Sequence, residues 1–307
     1  MGNIVSLVSV KNSTADIKRA ILEALKLAEF KFPKAARSVA IKPNLAYYWD
    51  AATGYTTDPR VVAAIIDIIR ERCGEDVDIK VVEADASAMR TKYAFKVLGY
   101  EKLAEEKKVE LFNLSKGVLD EKTVQVGKRE ITFKVPRLLL DSDLFIDVPK
   151  LKLMRIVKIT CAMKNIFGCI GKPRKIVYHP ILNETIVGIN KVLKPHLTIV
   201  DGLVAAGRFP VKLNLIMASV DPFSIDWFAS QIMGFNPSRV KFLKIAIKEK
   251  VGDPKGIVTR GEDVAEFAKL FPREGLVSTD FLWRIQFWLL KTYKRIVGDV
   301  IPPVLDE

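Results

Sequence analysis

SVAIKPNLAYYWDAATGYTTDPRVVAAIIDIIRERCGEDVDIKVVEADAS, running from Ser38 to Ser87, sets the architecture of this chain. The short apolar run Ser38–Ile41 is cut off by Lys42-Pro43-Asn44, the pattern of a buried strand that ends abruptly. Asp58-Pro59 then opens a helix to about Cys73, because Asp caps free backbone N–H groups and Pro fits the first helical turn. A second apolar run, Ile79–Glu83, ends in ADAS. Strand, long helix and strand in this order form a crossover, which makes the two strands parallel.

The same rhythm extends both ways. Upstream, Ile4–Val10 alternates like a strand and Thr14–Phe30 carries apolar residues at helical spacing. Downstream come a short helical pair (Arg90–Lys107), a strand at Val109–Leu114, and Lys122–Val126 and Glu130–Val135 joined by Val-Gly-Lys as a hairpin. Leu144–Val148 reads as a buried strand that Pro149 stops. His196–Val200 and Leu213–Ser219 read as strands ending at Asp201-Gly202 and Asp221-Pro222. The expected fold is α/β: a mostly parallel sheet covered by helices on both faces, with a small β-hairpin lobe and a C-terminal amphipathic helix. One α/β domain spans 1–275, and the helix lies at 280–298, where Arg284, Lys291 and Arg295 share one side and Ile285, Leu289 and Ile296 fill the other.

Composition narrows the partners. The 307 residues carry 49 Lys plus Arg against 36 Asp plus Glu, a net charge of +13. Nucleic acid, an anionic membrane surface and a small anion each fit such a surplus, and heat-adapted surfaces are also Lys- and Glu-rich. Three cysteines, Cys73, Cys161 and Cys169, are too few for a four-cysteine site, so no iron–sulfur cluster is expected; the cofactor is unknown. They read as reduced, buried thiols of a cytoplasmic protein. The opening MGNIVSLVSV lacks a signal peptide's basic region and long apolar core. Its Gly2 and Ser6 fit a loose myristoylation pattern, but its alternation fits a first strand better. No window reaches the ~18 uncharged apolar residues of a membrane span.

Candidate chemistry concentrates between Asp143 and His179. After Pro149 come Lys150, Lys152, Arg155, Lys158, Lys164, Lys172, Arg174 and Lys175 with no acidic residue between them, interleaved with Asn165, Gly168 and Gly171. Cations at the end of a buried strand in an α/β sheet face the crevice where ligands bind. Lys42 and Asn44, Glu83 and Asp85, Lys150 and Lys152, Asp201 and Asp221 are expected at the same strand ends, where Glu83, Asp85 or Asp201 could also satisfy Lys150 and Lys152 internally. Lys164-Asn165 lies among apolar residues and suits an anion clamp or a base of lowered pKa. His179 is one of two histidines and suits proton transfer. The roles assigned are therefore catalytic for Lys164, His179 and Asp201, and substrate-binding for Lys42, Asn44, Asp85, Lys150, Lys152, Asn165, Lys172 and Arg174. No metal site is assigned: there is no His-Glu-x-x-His, and the spacing of Asp201, Asp221 and Asp226 is weak support for Mg²⁺. Neither a Walker P-loop nor a Rossmann fingerprint nor a Gly-x-Ser-x-Gly elbow occurs.

IKPNL near residue 41, VEADAS, DVPKLK, AMKNIFG, His179, IVDGLVAAG and ASVDPFSIDWFASQIMGF follow one another in an order that resembles the domain of unknown function 362 family, over about Val39 to Ala268. Many members carry ferredoxin-like cysteine motifs, which this chain lacks. Members often show a histidine soon after PKLK, whereas this chain reads PKLKLMRIVK.

Three functions follow from these features. The first is an enzyme holding a small phosphate- or carboxylate-bearing substrate in the Lys-rich crevice. The second is an RNA binder using the basic 150–175 segment, although it has no known RNA-binding signature. The third is a peripheral membrane protein recruited by the 280–298 helix, which suits homo-oligomer contact equally well.

Overall fold

The computed structural model describes residues 3–11, 14–33, 36–272 and 292. The expected helix at 280–298 lies outside the described residues, Thr292 apart. In chain order the elements are β1 (Ile4–Ser9), α1 (Thr14–Leu27), β2 (Ser38–Pro43), α2 (Pro59–Cys73), β3 (Asp78–Glu83), α3 (Thr91–Val97), α4 (Tyr100–Lys107) and β4 (Glu110–Asn113). Next come β5 (Leu119–Val126), β6 (Arg129–Pro136), α5 (Arg137–Asp141), β7 (Leu144–Val148), β8 (Lys150–Met154), β9 (Lys158–Thr160), α6 (Ala162–Phe167) and α7 (Leu182–Val192). The remainder are β10 (Leu197–Ala206), β11 (Pro210–Ser219), α8 (Pro222–Ile232), α9 (Lys241–Lys248), β12 (Val258–Gly261) and α10 (Val264–Leu270).

Ten strands form one sheet in the order β12-β1-β11-β10-β7-β2-β3-β4, with β8 beside β10 and β9 beside β8. Along the main path every strand runs the same way except β11, which opposes both β1 and β10. The mostly parallel α/β sheet is therefore as the sequence implied.

Successive side chains point to opposite faces of a strand. In β2, Val39 and Ile41 join a core built on α1, α2 and α4, whereas Ala40 joins the core on the other side. In β7, Leu144 and Ile146 face the first core and Phe145 the second. Both faces are apolar because both are covered, the reason strand runs here lack a polar face. On the second face α6 packs on α7 and α8, and α7 on α9. The β5–β6 hairpin turns at Gly127, whose φ of 59° suits glycine, and it lays Ile131, Phe133 and Val135 into that same core against α7.

Two strand ends differ from the sequence reading. Pro149 does end β7, but the chain resumes at once as β8, because the Pro149 carbonyl still accepts from Asp201 N at 3.0 Å. Nor does β10 stop at Asp201-Gly202; it runs on to Ala206 through a register shift between Gly202 and Val204. Gly202 permits this, since a Cβ there would lie 2.7 Å from the Leu215 carbonyl oxygen. Turn-forming residues inside a strand thus marked a bulge rather than an end.

Candidate functional site

The C-terminal ends of β2, β3 and β7 and the middle of β10 converge with β8 and α6 on a cluster of lysines, and the sheet divides it into two layers. On the α6 side, Lys42 is 1% exposed and donates to a Glu83 oxygen at 2.9 Å and to the Pro43 carbonyl at 2.7 Å. Glu83 is filled on both oxygens, since Ala84 N (2.9 Å) and Leu45 N (3.1 Å) also donate to it. Burial alone would lower the Lys42 pKa, but Glu83, by its charge and its hydrogen bond, does most to outweigh it and hold the ammonium above its usual value. Asn165 Nδ2 donates to Asp147 at 2.8 Å and to the Lys42 carbonyl at 3.2 Å, fastening α6 to β2 and β7.

On the α2 side, Lys150 Nζ lies 3.0 Å from an Asp201 oxygen, and both side chains are fully buried. The contact is ionic rather than a well-aligned hydrogen bond, so the Lys150 N–H groups are left unsatisfied. Asp201 also accepts from Asp58 N at 2.7 Å and Leu203 N at 3.0 Å. The helix start that Asp58 caps is thereby tied to the ion pair.

Three further lysines stand where these layers open. Lys152 donates to Asn44 Oδ1 and to the Tyr55 carbonyl at 3.1 Å, with its Nζ 5.9 Å from the Tyr55 ring centre. Asn44 in turn donates to Asn165 at 2.9 Å. Lys164 is half-buried over the Phe167 ring, 5.0 Å from its centre, and among the described residues it has no carboxylate partner. Lys175 is buried and donates to the Asp85 backbone carbonyl. Burial and neighbouring ammonium groups push all three down: Lys152 to about 7, Lys164 to about 8 and Lys175 to about 8. His179 is lowered by burial and then by Lys164.

The structure therefore joins Lys42, Asn44, Lys150, Lys152, Asn165 and Asp201 in one network, with Lys164 acting on Lys152 and His179 through its charge. Asp85 joins only through its backbone; its carboxylate accepts from Thr91 N and Asn113 Nδ2. Lys172 is exposed, and Arg174 sits half-buried ahead of the seven-residue 3₁₀ stretch Lys175–Ile181. Asp221 and Asp226 do not meet Asp201: Asp221 caps α8, and Asp226 accepts from Ala162 N and Met163 N at the start of α6. No three of His, Cys, Asp and Glu converge as metal ligands among the described residues.

Sequence reasoning set Glu83 among the strand-end residues as a possible internal partner of the lysines and Lys175 in the cation run, but assigned neither to the site, and it gave no role to Asp147. Asp147 lies inside a run read as simply apolar; an acid in a strand covered on both faces was the available signal. A separate cavity, lined by Ser38, Asp78, Lys80 and Asp141, lies at the opposite ends of β2 and β3 and touches none of this network.

A family model described as Domain of unknown function (DUF362) matches residues 39–231. A thylakoid-associated protein of Synechocystis sp. is 25% identical over 235 residues, 72% of this chain and 70% of that protein. Among solved structures, the lactate racemase apoprotein of Thermoanaerobacterium thermosaccharolyticum superposes with a TM-score of 0.50 at 13% identity, over 76% of this chain and 57% of that one. A Thermotoga maritima protein gives a TM-score of 0.40 at 16% identity, over 63% of this chain and 51% of that one. The likeness to the racemase is one of α/β fold, and this chain spans little more than half its length. No helix among the described residues is long and apolar enough to cross a membrane.

Proposed function

The chain belongs to the domain of unknown function 362 family, whose description assigns no activity, and we propose from its site that it is an enzyme acting on a small phosphate- or carboxylate-bearing molecule. One observation carries this reading: Lys152 and Lys164 act on each other's charge at the strand ends, and among the described residues neither has a carboxylate partner, while Lys175 nearby donates to a backbone carbonyl. Like charges gathered in a poorly solvated place repel one another, and an anion between them relieves that repulsion. Lys42 and Lys150, each held by its own carboxylate, frame the site rather than contact the anion. The inward direction of Lys150, Lys152 and Lys175 favours a small ligand over a nucleic-acid backbone, which needs cations displayed along a surface.

Native mass spectrometry of gently purified protein, compared with the denatured mass, tests this. Release of a small anion, or a rise in melting temperature with inorganic phosphate that is lost in Lys164→Ala, is the expected result. A protein indifferent to phosphate and carboxylates alike would count against it.

A second reading, contact with a membrane surface, draws on a different observation. Tyr47, Tyr48, Trp49 and Phe209 are 39–70% exposed, and Arg208 stacks near Phe209. The two loops are neighbours, because Gly54 presses against the Ala205 backbone. Amphipathic aromatics with a basic residue suit a lipid interface, and the Synechocystis relative is named as thylakoid-associated. Flotation with anionic vesicles, weakened by Trp49→Ser with Phe209→Ser, is expected on this reading.

A further inference from the structure

We propose that Lys152 is an imine-forming nucleophile, and that the anion the site takes is a small carbonyl compound: an oxo acid or a phosphorylated aldehyde or ketone. This rests on the anion-binding reading above and goes further, naming the substrate's reactive group and the atom that meets it.

The argument begins with what surrounds each buried lysine. Lys42 and Lys150 each face a carboxylate, which holds an ammonium. Lys152, 7% exposed, faces two neutral acceptors instead, Asn44 Oδ1 and the Tyr55 carbonyl oxygen. An ammonium has three N–H bonds to satisfy, whereas a neutral amine has two and a lone pair. Two acceptors and no carboxylate fit the neutral amine, and they leave its lone pair uncommitted. Burial, and after it the charges of Lys164, Lys150 and Lys42, disfavour protonation of Lys152, with Glu83 opposing them. A lysine desolvated and set beside other cations is the kind that attacks carbonyl carbon near neutral pH.

The remaining groups then have separate duties. Lys164, half-buried and free of any carboxylate among the described residues, pairs with the substrate's carboxylate or phosphate. In the reaction, the Lys152 lone pair forms a bond to the carbonyl carbon, and the C=O π pair moves to oxygen, which takes up a proton. Nitrogen loses one of its protons, the hydroxyl leaves as water after a second protonation, and the nitrogen pair closes the C=N bond. Because the nitrogen keeps its remaining proton, that closure gives the iminium directly. The sum is amine plus carbonyl compound plus one proton giving iminium plus water, with no oxidant or reductant. The iminium then withdraws electrons from the adjacent carbon, the usual purpose of such an adduct.

The test is reductive trapping on the full chain near pH 7.5 with glyoxylate as the carboxylate probe and glycolaldehyde phosphate as the phosphate probe, each followed by borohydride. Peptide mapping should place most of the adduct on Lys152, and whichever probe labels at lower concentration identifies the anionic group. Adduct spread over exposed lysines in proportion to their accessibility overturns the proposal. Should a probe raise the melting temperature and yet leave no adduct on Lys152, the anion site stands and the imine chemistry falls; if it does neither, both fall. Asn44→Asp supplies an independent check: a carboxylate beside Lys152 restores the ammonium, and trapping there should slow at least tenfold. Unchanged trapping in a folded Asn44→Asp protein also overturns the proposal.

Discussion

Two sets of buried lysines lie side by side in this protein and differ in one respect. Lys42 and Lys150 each have a carboxylate within about hydrogen-bond distance, Glu83 and Asp201, supplied by the neighbouring strands β3 and β10. Lys152, Lys164 and Lys175 have amide, backbone and aromatic partners instead. The first set is electrically complete and belongs to the architecture. The second set is electrically open and awaits charge from outside. A single crevice can thus be rigid at its floor and receptive at its rim.

The largest expected effect comes from breaking the floor. Asp201→Asn leaves the Lys150 ammonium fully buried with no counter-charge, and it also weakens the acceptor that holds Asp58 N. Removing one partner of a buried pair costs about 3–5 kcal/mol, whereas replacing both by apolar residues is often neutral. Denaturant unfolding should therefore show Asp201→Asn far less stable than the parent, and Lys150→Met with Asp201→Asn much nearer to it, because the amide oxygen still accepts a backbone N–H and no buried charge is left unpaired. If the single and double variants lose the same amount, the pair is not what holds β8 to β10.

Changes at the rim should do the reverse. Lys152→Met removes a desolvated amine from beside other cations, so stability should hold or rise slightly. Affinity for glyoxylate should fall about tenfold or more, roughly 1.4 kcal/mol, because the imine bond is lost, whereas affinity for inorganic phosphate, paired with Lys164, should fall less. Calorimetry on both probes reads this directly. A Lys152→Met protein that binds as before while unfolding early would move Lys152 from the rim to the floor.

Much of this comparison was legible in the sequence, and its division was not. The parallel sheet followed from Asp58-Pro59 between two apolar runs, and the lysine cluster followed from its place after Pro149. Lys42, Asn44, Lys150, Lys152 and Asn165 were all expected at the crevice, and the structure links them. Which lysines are neutralised depends on register across the sheet: Asp201 stands opposite Lys150 because β10, after pairing with β7, pairs onward with β8. Pairings between residues some fifty positions apart leave no local trace. Asp147 was hidden for a related reason, since a single acid in a run of Leu, Phe, Ile and Val does not disturb the strand pattern.

A smaller effect is expected from pH, and its sign separates rim from floor. The rim lysines have folded pKa values of about 7 to 8, below the 10.5 of an unfolded lysine. In that interval the unfolded chain binds more protons than the folded one, so stability rises with pH. Other groups act oppositely on either side. The Asp226 carboxyl, raised to about 8, loses stability as pH climbs to that value. Thiols such as Cys169, raised from 9.0 to about 12, do so once the unfolded thiol ionises. Between about pH 8 and 9 the lysines act with least opposition, and the melting temperature should increase there. Saturating phosphate, by holding the ammonium forms, should flatten the rise. A melting temperature that falls through this interval would mean the rim lysines are neutralised after all.

The smallest effect is expected at Asp147, the one acid of the floor without a lysine of its own. Burial raises its pKa well above the carboxylate range, although the Asn165 hydrogen bond and Lys42 pull the other way. Its Oδ1 accepts from Asn165, while Oδ2 has no partner; nor has the hydroxyl of Thr198, its register partner on β10. A protonated carboxyl is the form that such surroundings favour, because an uncompensated carboxylate there would cost several kcal/mol. Asn is nearly the same shape as a neutral carboxyl group and retains the oxygen that Asn165 needs. Asp147→Asn should therefore change stability by less than about 1 kcal/mol at pH 7, with the two proteins diverging only above the raised pKa, where the parent alone must ionise or resist ionising. A loss of several kcal/mol at pH 7 would instead mean that Asp147 is a carboxylate shared with Glu83 around Lys42. The floor would then hold two negative charges on one ammonium, and the balance that separates it from the rim would fail.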